Sequence, residues 1–172
     1  RETTESSYFT SCNRGKKSVT LDISRAEGQA LARQLALESD VLIENYKVGD
    51  LRRYGLGYED LKVLNPGLVY CSITGFGQDG PLAQTPAYND VVQGLSGVMS
   101  MNGEPEGMPV KVGIPIGDLA AGMFAAMGIL GALYEREVNG QGKHLDISML
   151  DCLLGFSDGS RAADRDEILG SH

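Results

Sequence analysis

Tryptophan is absent from this 172-residue sequence, and cysteine and histidine are scarce. The three cysteines, Cys12, Cys71 and Cys152, lie far apart, form no Cys-x-x-Cys pair, and are accompanied by two histidines. Disulfide frameworks need paired cysteines, and zinc sites need clustered cysteine and histidine ligands. The composition therefore argues against both, predicts no metal site, and favours a reducing, cytoplasmic location.

Positive charge is also in short supply, since 15 Lys and Arg stand against 23 Asp and Glu for a net charge of −8. Proteins that bind nucleic acid broadly carry an excess of basic residues, so this class is disfavoured. A small anionic ligand stays possible where basic residues cluster, as Arg14, Lys16 and Lys17 do. The alternative for that cluster is a solvated basic turn.

Long hydrophobic runs are lacking except at residues 119–134, which are rich in Gly and Ala. A membrane-spanning helix needs roughly 20 apolar residues, and this shorter run is bounded by the acidic residues Asp118 and Glu135. Its apolar residues fall on every side of a helix. We therefore expect a helix buried on all sides in a soluble domain, and no membrane partner.

Segments with strand and helix patterns alternate along the chain. Short apolar or β-branched runs predict strands at 18–23, 40–45, 68–74 and 143–147. Helical patterns follow them at 24–38, from about 50, and at 58–66, 86–97, 118–140 and 148–156. Ser24 and Glu27 have the spacing of a capping box, which predicts that the first helix opens at Ser24. The alternation predicts an α/β fold, a mainly parallel open sheet with helices on both faces.

Asp118 stands between an extended Gly- and Pro-rich segment, Gly113-Ile-Pro-Ile-Gly117, and the apolar helix. An acidic residue at a helix start commonly caps the helix by accepting hydrogen bonds from its free N–H groups. A carboxylate kept out of bulk water at such a position can instead be a nucleophile. Composition and spacing favour the cap and leave the nucleophile open.

Polar and aromatic residues follow the strand predicted at 40–45. Asn45, Tyr46 and Lys47 come at its carboxyl end, and Arg53 lies on the next predicted helix. Open α/β sheets bind ligands at the carboxyl ends of strands, so these residues are placed to meet an anionic, aromatic ligand such as a nucleotide. The alternative is that Tyr46 packs in the core and the basic residues are solvated.

Residues 75–80 have the Gly-x-Gly-x-x-Gly spacing of a dinucleotide-binding loop and follow a predicted strand. That motif must open a helix, whose N terminus holds the pyrophosphate. Pro81 follows directly and Pro86 soon after, so no such helix is expected here. We interpret the segment as a glycine-rich active-site or surface loop.

An ordered set of motifs resembles one family, the class III CoA-transferases (CaiB/BaiF), which include formyl-CoA transferase-like enzymes. The resemblance covers about residues 8–156, and the ordered set is highly specific although each motif alone is modest. The motifs include Asn13-Arg-Gly-Lys-Lys-Ser-Val-Thr-Leu-Asp22, Asp40-Val-Leu-Ile-Glu-Asn-Tyr46, Ser72-Ile-Thr-Gly-Phe-Gly-Gln-Asp-Gly-Pro81, Gln93-Gly-Leu-Ser-Gly97, Gly117-Asp-Leu-Ala-Ala-Gly122 and Asn139-Gly-Gln-Gly142.

The resemblance implies a function and a set of site residues. The function is transfer of CoA from an acyl-CoA thioester to a carboxylic acid, with Asp118 as the catalytic nucleophile. No tightly bound cofactor is implied, because coenzyme A is a substrate, and the enzymes are homodimers. The implied CoA contacts are Leu21, Asn45, Tyr46, Lys47, Arg53, Ala87 and Tyr88.

Two alternatives accompany the transferase. The family's racemase branch moves an α-proton of an acyl-CoA with an Asp and a His, but the position of that His is Tyr88 here. The chain's histidines are His144, in a predicted strand, and His172, so the transferase is favoured. The other alternative is a non-catalytic CoA-binding or oligomerisation fragment.

The fragment alternative follows from departures from the family pattern. Ser24 stands where the family often has a basic residue, and the pattern is not continued after Phe156. We expect residues 1–156 to be an incomplete Rossmann-like large domain of a CoA-transferase and residues 157–172 to be a C-terminal tail. The chain is then expected to be truncated or internally deleted.

Overall fold

Three short parallel strands form the centre of the structure, a computed structural model that describes residues 6–104 and 106–157. The strands are β1 (Val41–Glu44), β2 (Val69–Thr74) and β3 (His144–Ser148), in the order β1-β2-β3. Val41 pairs with Val69, and Tyr70 pairs with His144. The central strand β2 is almost wholly buried, as its nearly unbroken apolar and β-branched sequence predicts.

Helices surround this sheet. They are α1 (Ser7–Cys12), α2 (Ala26–Leu37), α3 (Tyr58–Leu64), α4 (Asn89–Ser96), α5 (Ile116–Asn139) and α6, which is helical from 149 to 157, the last described residue. Single turns of 3-10 helix lie at Leu51–Tyr54 and Val98–Met101.

Alternate residues of β2 face two separate hydrophobic clusters. Tyr70 packs in a cluster with residues of α2 and α3, including Ala36 and Leu61. Ile73 packs on the other cluster, which contains Ala121 of α5 and Leu153 of α6. Successive side chains of a strand point to opposite faces of the sheet. The prediction of an α/β fold with a parallel sheet and helices on both faces is therefore confirmed.

Helix α5 is buried on one side, not on all sides as predicted. Its small residues, among them Ala121, Ala125 and Ala132, are buried toward the core. Opposite them lies the exposed apolar face of α5, defined as Leu119, Met123, Met127, Leu130, Tyr134 and Val138. Leu130 is 68% exposed and Tyr134 78% exposed. α5 also meets the length and composition criteria of a membrane-spanning helix, a test that core helices of soluble proteins pass too.

Three further predictions of local structure were wrong. Residues 16–22 are irregular, and Val19 is 65% exposed, because none of the described residues pairs with them as a neighbouring strand. Helix α2 begins at Ala26, since the Ser24 hydroxyl donates to the Asp22 carboxylate at 2.6 Å instead of capping the helix. The helix expected from about residue 50 is one 3-10 turn, which Gly55 ends in the left-handed conformation.

The predicted boundary at residue 156 falls within α6, one residue before the last described residue. Residues 158–172, most of the predicted C-terminal tail, lie outside the described residues. The division of the chain at this point therefore stays a prediction.

Candidate active site

A cavity of about 250 Å³ opens at the carboxyl ends of β1 and β2. This edge is where open parallel sheets place their ligands. The cavity is lined by Asn45, Tyr46, Lys47, Val48, Thr74, Gly75 and the segment 83–88. The structure thus brings together five of the residues that the sequence suggested as CoA contacts, namely Asn45, Tyr46, Lys47, Ala87 and Tyr88.

Local contacts hold the two sides of this cavity together. The Asn45 side-chain amide donates to the carbonyl of Ile73, which ties the end of β1 to the end of β2. After β2 the chain approaches the segment 83–88 very closely. A Cβ atom placed on Gly75 would lie 2.5 Å from the Cβ of Ala87, closer than any real contact. Glycine at position 75 is therefore required by the close approach of these two segments.

The glycine-rich loop does not form a dinucleotide-binding turn. No helix begins between residue 75 and α4. The loop instead folds back onto the sheet, with the Gly77 N–H donating to the Thr74 hydroxyl at 3.0 Å and the Gln78 N–H donating to the Asp146 carboxylate at 2.8 Å. The interpretation that this loop is not a Rossmann cofactor site agrees with this geometry.

Leu21 and Arg53 are not among the residues that line the cavity. Leu21 lies in the irregular segment 16–22. Arg53 pairs with Asp50 at 3.1 Å and its guanidinium lies over the Tyr54 ring. Both residues stay predicted CoA contacts that the described part of the chain does not bring to the cavity.

Asp118 lies in the first turn of α5 without capping the helix. The N-cap residue is Pro115, which makes no side-chain capping hydrogen bond. Within residues 6–104 and 106–157, the Asp118 carboxylate is engaged in neither a hydrogen bond nor an ion pair. It is solvent-exposed, so the exclusion from bulk water expected from the sequence is not provided by the described residues.

Two features of its surroundings raise the pKa of Asp118, and a third opposes them. Partial desolvation by neighbouring atoms raises the pKa of its carboxyl group, and the negative charge of Asp90 raises it further. The start of a helix carries a partial positive charge that favours an anion. Asp118 is therefore a free carboxylate at a helix N terminus, with a pKa above its ordinary value.

Asn89 joins Asp118 to the cavity. The Gly117 N–H donates to Asn89 Oδ1 at 2.9 Å, so the first residue of α4 is bonded to the residue that precedes Asp118. Tyr88, the N-cap residue of α4, lines the cavity. Asn89 therefore connects the start of α5 to Tyr88, which lines the cavity.

Sequence reasoning missed some of these residues. Thr74 is the last residue of β2, and Gly75 follows β2 as Asn45 follows β1, so the same rule for strand ends would have found them. Asn89 carried no comparable signal, because its hydrogen bond to Gly117 connects positions 28 apart in sequence.

His144 lies on the opposite face of the sheet from α5. Its Nε2 atom and the Ser72 hydroxyl are 2.9 Å apart, and its ring stacks on Tyr58 of α3 at 5.0 Å between centroids. Burial lowers the pKa of His144, so the neutral imidazole is favoured. This placement does not supply the paired base that a racemase needs beside Asp118.

Metal ligation has no support among the residues described. No three His, Cys, Asp or Glu side chains in residues 6–104 and 106–157 form a group that could hold a metal ion.

A parallel sheet with a polar and aromatic cavity at its carboxyl edge defines an open α/β protein, a class that binds its ligands at this edge. A sequence model of CoA-transferase family III matches residues 1–164, and the chain belongs to that family.

Two named relatives are CoA-transferases. The chain is 47% identical over 150 residues to succinate–glutarate CoA-transferase of Agrobacterium fabrum, which covers 87% of this chain and 38% of the relative. It is 44% identical over 153 residues to acetyl-CoA:oxalate CoA-transferase of Acetobacter aceti, over 88% of this chain and 39% of the relative.

The fold has a close structural counterpart. The crystal structure of a CaiB/BaiF family protein from Brucella suis superposes with a TM-score of 0.88 at 43% identity, covering 95% of this chain and 43% of that chain. The chain therefore spans less than half the length of each of these relatives.

Proposed function

We propose that this chain carries the catalytic carboxylate and part of the CoA site of an enzyme that transfers CoA from an acyl-CoA to a carboxylic acid. The observation that carries the proposal is the Asp118 carboxylate, which makes no hydrogen bond or ion pair within the described residues. The residue before it, Gly117, bonds to Asn89, the neighbour of the cavity-lining Tyr88. The names of the two relatives describe CoA transfer involving succinate and glutarate, or acetyl-CoA and oxalate.

The cavity has the residue types that a CoA molecule needs. Lys47 offers a cation to phosphate groups. The rings of Tyr46 and Tyr88 are exposed at the cavity and offer faces on which an adenine could stack. Asn45 and Gly75 also line the cavity. Support for CoA as the ligand thus comes from charge, aromatic surface and position together.

The proposed reaction forms and breaks bonds at one carboxylate. Asp118 attacks the thioester carbonyl, which gives an acyl-aspartyl anhydride and CoA thiolate. The thiolate attacks the aspartyl carbonyl, which gives an aspartyl-CoA thioester and releases the donor acid. The acceptor carboxylate then attacks the aspartyl-CoA thioester, which gives a second anhydride and CoA thiolate. The thiolate attacks the acceptor carbonyl of that anhydride, which releases the acceptor as its CoA ester and restores the Asp118 carboxylate. The partial positive charge at the start of α5 would favour negative charge on the reacting oxygens.

Neither a metal nor a tightly bound cofactor enters this proposal, because the carboxylate, the thioester and the acceptor acid supply every reacting group.

The second part of the proposal is a homodimer. Its support is the exposed apolar face of α5, since large exposed apolar surfaces mark sites of protein association.

The proposal is tested by hydroxylamine trapping after mixing the chain with a panel of acyl-CoA esters. We expect a hydroxamate at Asp118, detected by mass spectrometry, and its loss in Asp118→Asn. Asp60→Asn, at an exposed acidic residue of α3, is the matched control and keeps the adduct. An adduct that survives Asp118→Asn would refute the assigned nucleophile.

Two further measurements, deuterium exchange and CoA binding, separate the alternatives. Exchange of the α-hydrogen of an acyl-CoA with deuterium, without CoA transfer, would favour a racemase. CoA binding with no trapping at any residue would favour a non-catalytic CoA-binding or oligomerisation fragment.

A further inference from the structure

The first turn of α5 is held by side chains of another helix. Every α-helix leaves its first N–H groups without partners inside the helix. In α5 no side chain of the N-cap residue takes this role. The Gly117 N–H, in the first turn, instead donates to Asn89 Oδ1 of α4 at 2.9 Å.

Asn89 is in turn held by Gln93, one helical turn further along α4. Gln93 is fully buried, and its Nε2 atom donates to Asn89 Oδ1 at 3.3 Å. Its Oε1 atom accepts a hydrogen bond from the Val112 N–H at 2.8 Å. Residues four apart lie on one face of a helix. The two amides therefore fix both ends of the segment 112–117 to a single face of α4.

Gly117 also packs directly against α4. A Cβ atom at this position would lie 2.9 Å from Val92 Cγ2 and 3.2 Å from Asn89 Oδ1. The backbone next to Asp118 therefore has little freedom to move toward α4, while the hydrogen bond to Asn89 opposes movement away from it. Position and direction of the Asp118 backbone are both constrained by α4.

We propose that Asn89, held by Gln93, is a positioning residue that caps α5 from α4 and so leaves the Asp118 carboxylate free to attack. This inference rests on the proposed function, because the hydrogen bond between Gly117 and Asn89 positions a nucleophile only if Asp118 is one. Nucleophilic attack requires reacting atoms at a defined distance and angle, and small displacements of a catalytic group cost large factors in rate.

The test compares two variants of equal size in the full chain. Asn89→Leu removes the acceptor oxygen, whereas Asn89→Asp keeps it. We expect Asn89→Leu to lower the rate of Asp118 acylation by acyl-CoA by on the order of 10²-fold, the factor typical of a misplaced catalytic group. The KM for acyl-CoA stays nearly unchanged, because Asn89 is not among the cavity-lining residues. Asn89→Asp recovers most of the rate at a pH where Asp118 is ionised.

A matched control separates positioning from general stability. Asn65 also holds backbone groups through its side chain, donating to the carbonyls of Ala36, Leu37 and Ser39 far from Asp118. Asn65→Ala should lower the melting temperature and leave the acylation rate of the folded protein unchanged. Amide hydrogen exchange of Gly117 gives a readout independent of activity, and it should accelerate in Asn89→Leu but not in Asn89→Asp.

The outcomes distinguish this inference from the function on which it rests. Acylation of Asn89→Leu at the wild-type rate, or Gly117 exchange unchanged in that variant, overturns the positioning role alone. Failure of Asn89→Asp to recover the rate overturns it as well. If the wild-type chain forms no adduct at Asp118 while Gly117 is protected by Asn89, the proposed function fails and the positioning role falls with it.

Discussion

At the scale of single residues, the sequence identified five of the twelve residues that line the cavity, while local spacing favoured a capping role for Asp118 that the structure does not show. Asn45, Tyr46 and Lys47 were predictable because position at the carboxyl end of a strand is a local property of sequence. The sequence could not predict that Asp118 would leave the capping role to another residue, because the Gly117 N–H donates to Asn89 Oδ1 of another helix. The exposure of Asp118 was equally unpredictable, since it depends on which segments pack around the start of α5.

The raised pKa of Asp118 predicts the pH dependence of its acylation. Only the ionised carboxylate attacks, so the rate falls as pH falls through a pKa that lies above the ordinary Asp value. Asp90→Asn removes a neighbouring negative charge that raises the pKa of Asp118. This substitution therefore lowers the pKa of Asp118, and we expect the acid limb of the acylation rate to move to lower pH. An acid limb that stays in place in Asp90→Asn would contradict this electrostatic coupling.

The raised pKa of Asp118 also predicts how the stability of the folded chain changes with pH. Between the ordinary pKa of Asp and the raised folded-state value, the folded chain binds more protons at Asp118 than the unfolded chain does. The contribution of Asp118 to the free energy of unfolding therefore decreases as pH rises through this window. Asp118→Asn should lack that decrease.

At the scale of secondary-structure elements, the alternation of strand and helix patterns was sufficient to predict the strands of the sheet. The predicted strands at 40–45, 68–74 and 143–147 contain or overlap β1, β2 and β3 closely, because each is a short apolar run bounded by turn residues. The strand predicted at 18–23 was wrong because a strand is completed by hydrogen bonds to a neighbour, which its own sequence does not reveal. Likewise, Ser24 had the spacing of a cap but bonded Asp22.

The junction between the loop after β2 and the segment 83–88 yields a prediction. Gly75→Ala would place a Cβ 2.5 Å from that of Ala87 and push these segments apart. We expect a loss of about 1–3 kcal/mol in unfolding free energy, typical of overpacking, together with weaker CoA binding. Denaturant unfolding and calorimetric titration with CoA measure the two effects.

Gly122 of α5 offers the matched control for that substitution. An added Cβ there meets nothing within 4 Å. Gly122→Ala should therefore stabilise the chain by up to about 1 kcal/mol, because alanine favours a helix over glycine. If Gly75→Ala behaved like Gly122→Ala, the close approach at residue 75 would not be a constraint on the cavity.

At the scale of the whole molecule, the sequence could not say which surfaces are covered. Residues 119–134 are apolar throughout, and the prediction of burial on all sides followed from that pattern alone. The structure buries the small residues against the sheet and leaves Leu130 and Tyr134 exposed. Burial is set by what packs against a helix, and the described residues cover one side of α5.

A homodimer formed through the exposed apolar face of α5 should be sensitive to charge on that face. We expect Leu130→Glu to convert a dimer into monomers in sedimentation velocity, because association would bury an unpaired carboxylate. Val63→Glu, at an equally accessible apolar residue of α3, is the control and leaves the dimer intact. A wild-type chain that sediments as a monomer, or a Leu130→Glu dimer, would rule out this interface.

The length of α5 has a mechanical consequence. Its 24 residues form one rod of roughly 36 Å, with Asp118 in the first turn and apolar side chains exposed along most of its length. Any surface that packs on those side chains belongs to the same rigid body as the carboxylate. In the proposed dimer, a small tilt imposed at the far end of α5 would displace Asp118, so the subunit contact and the position of the proposed nucleophile would change together.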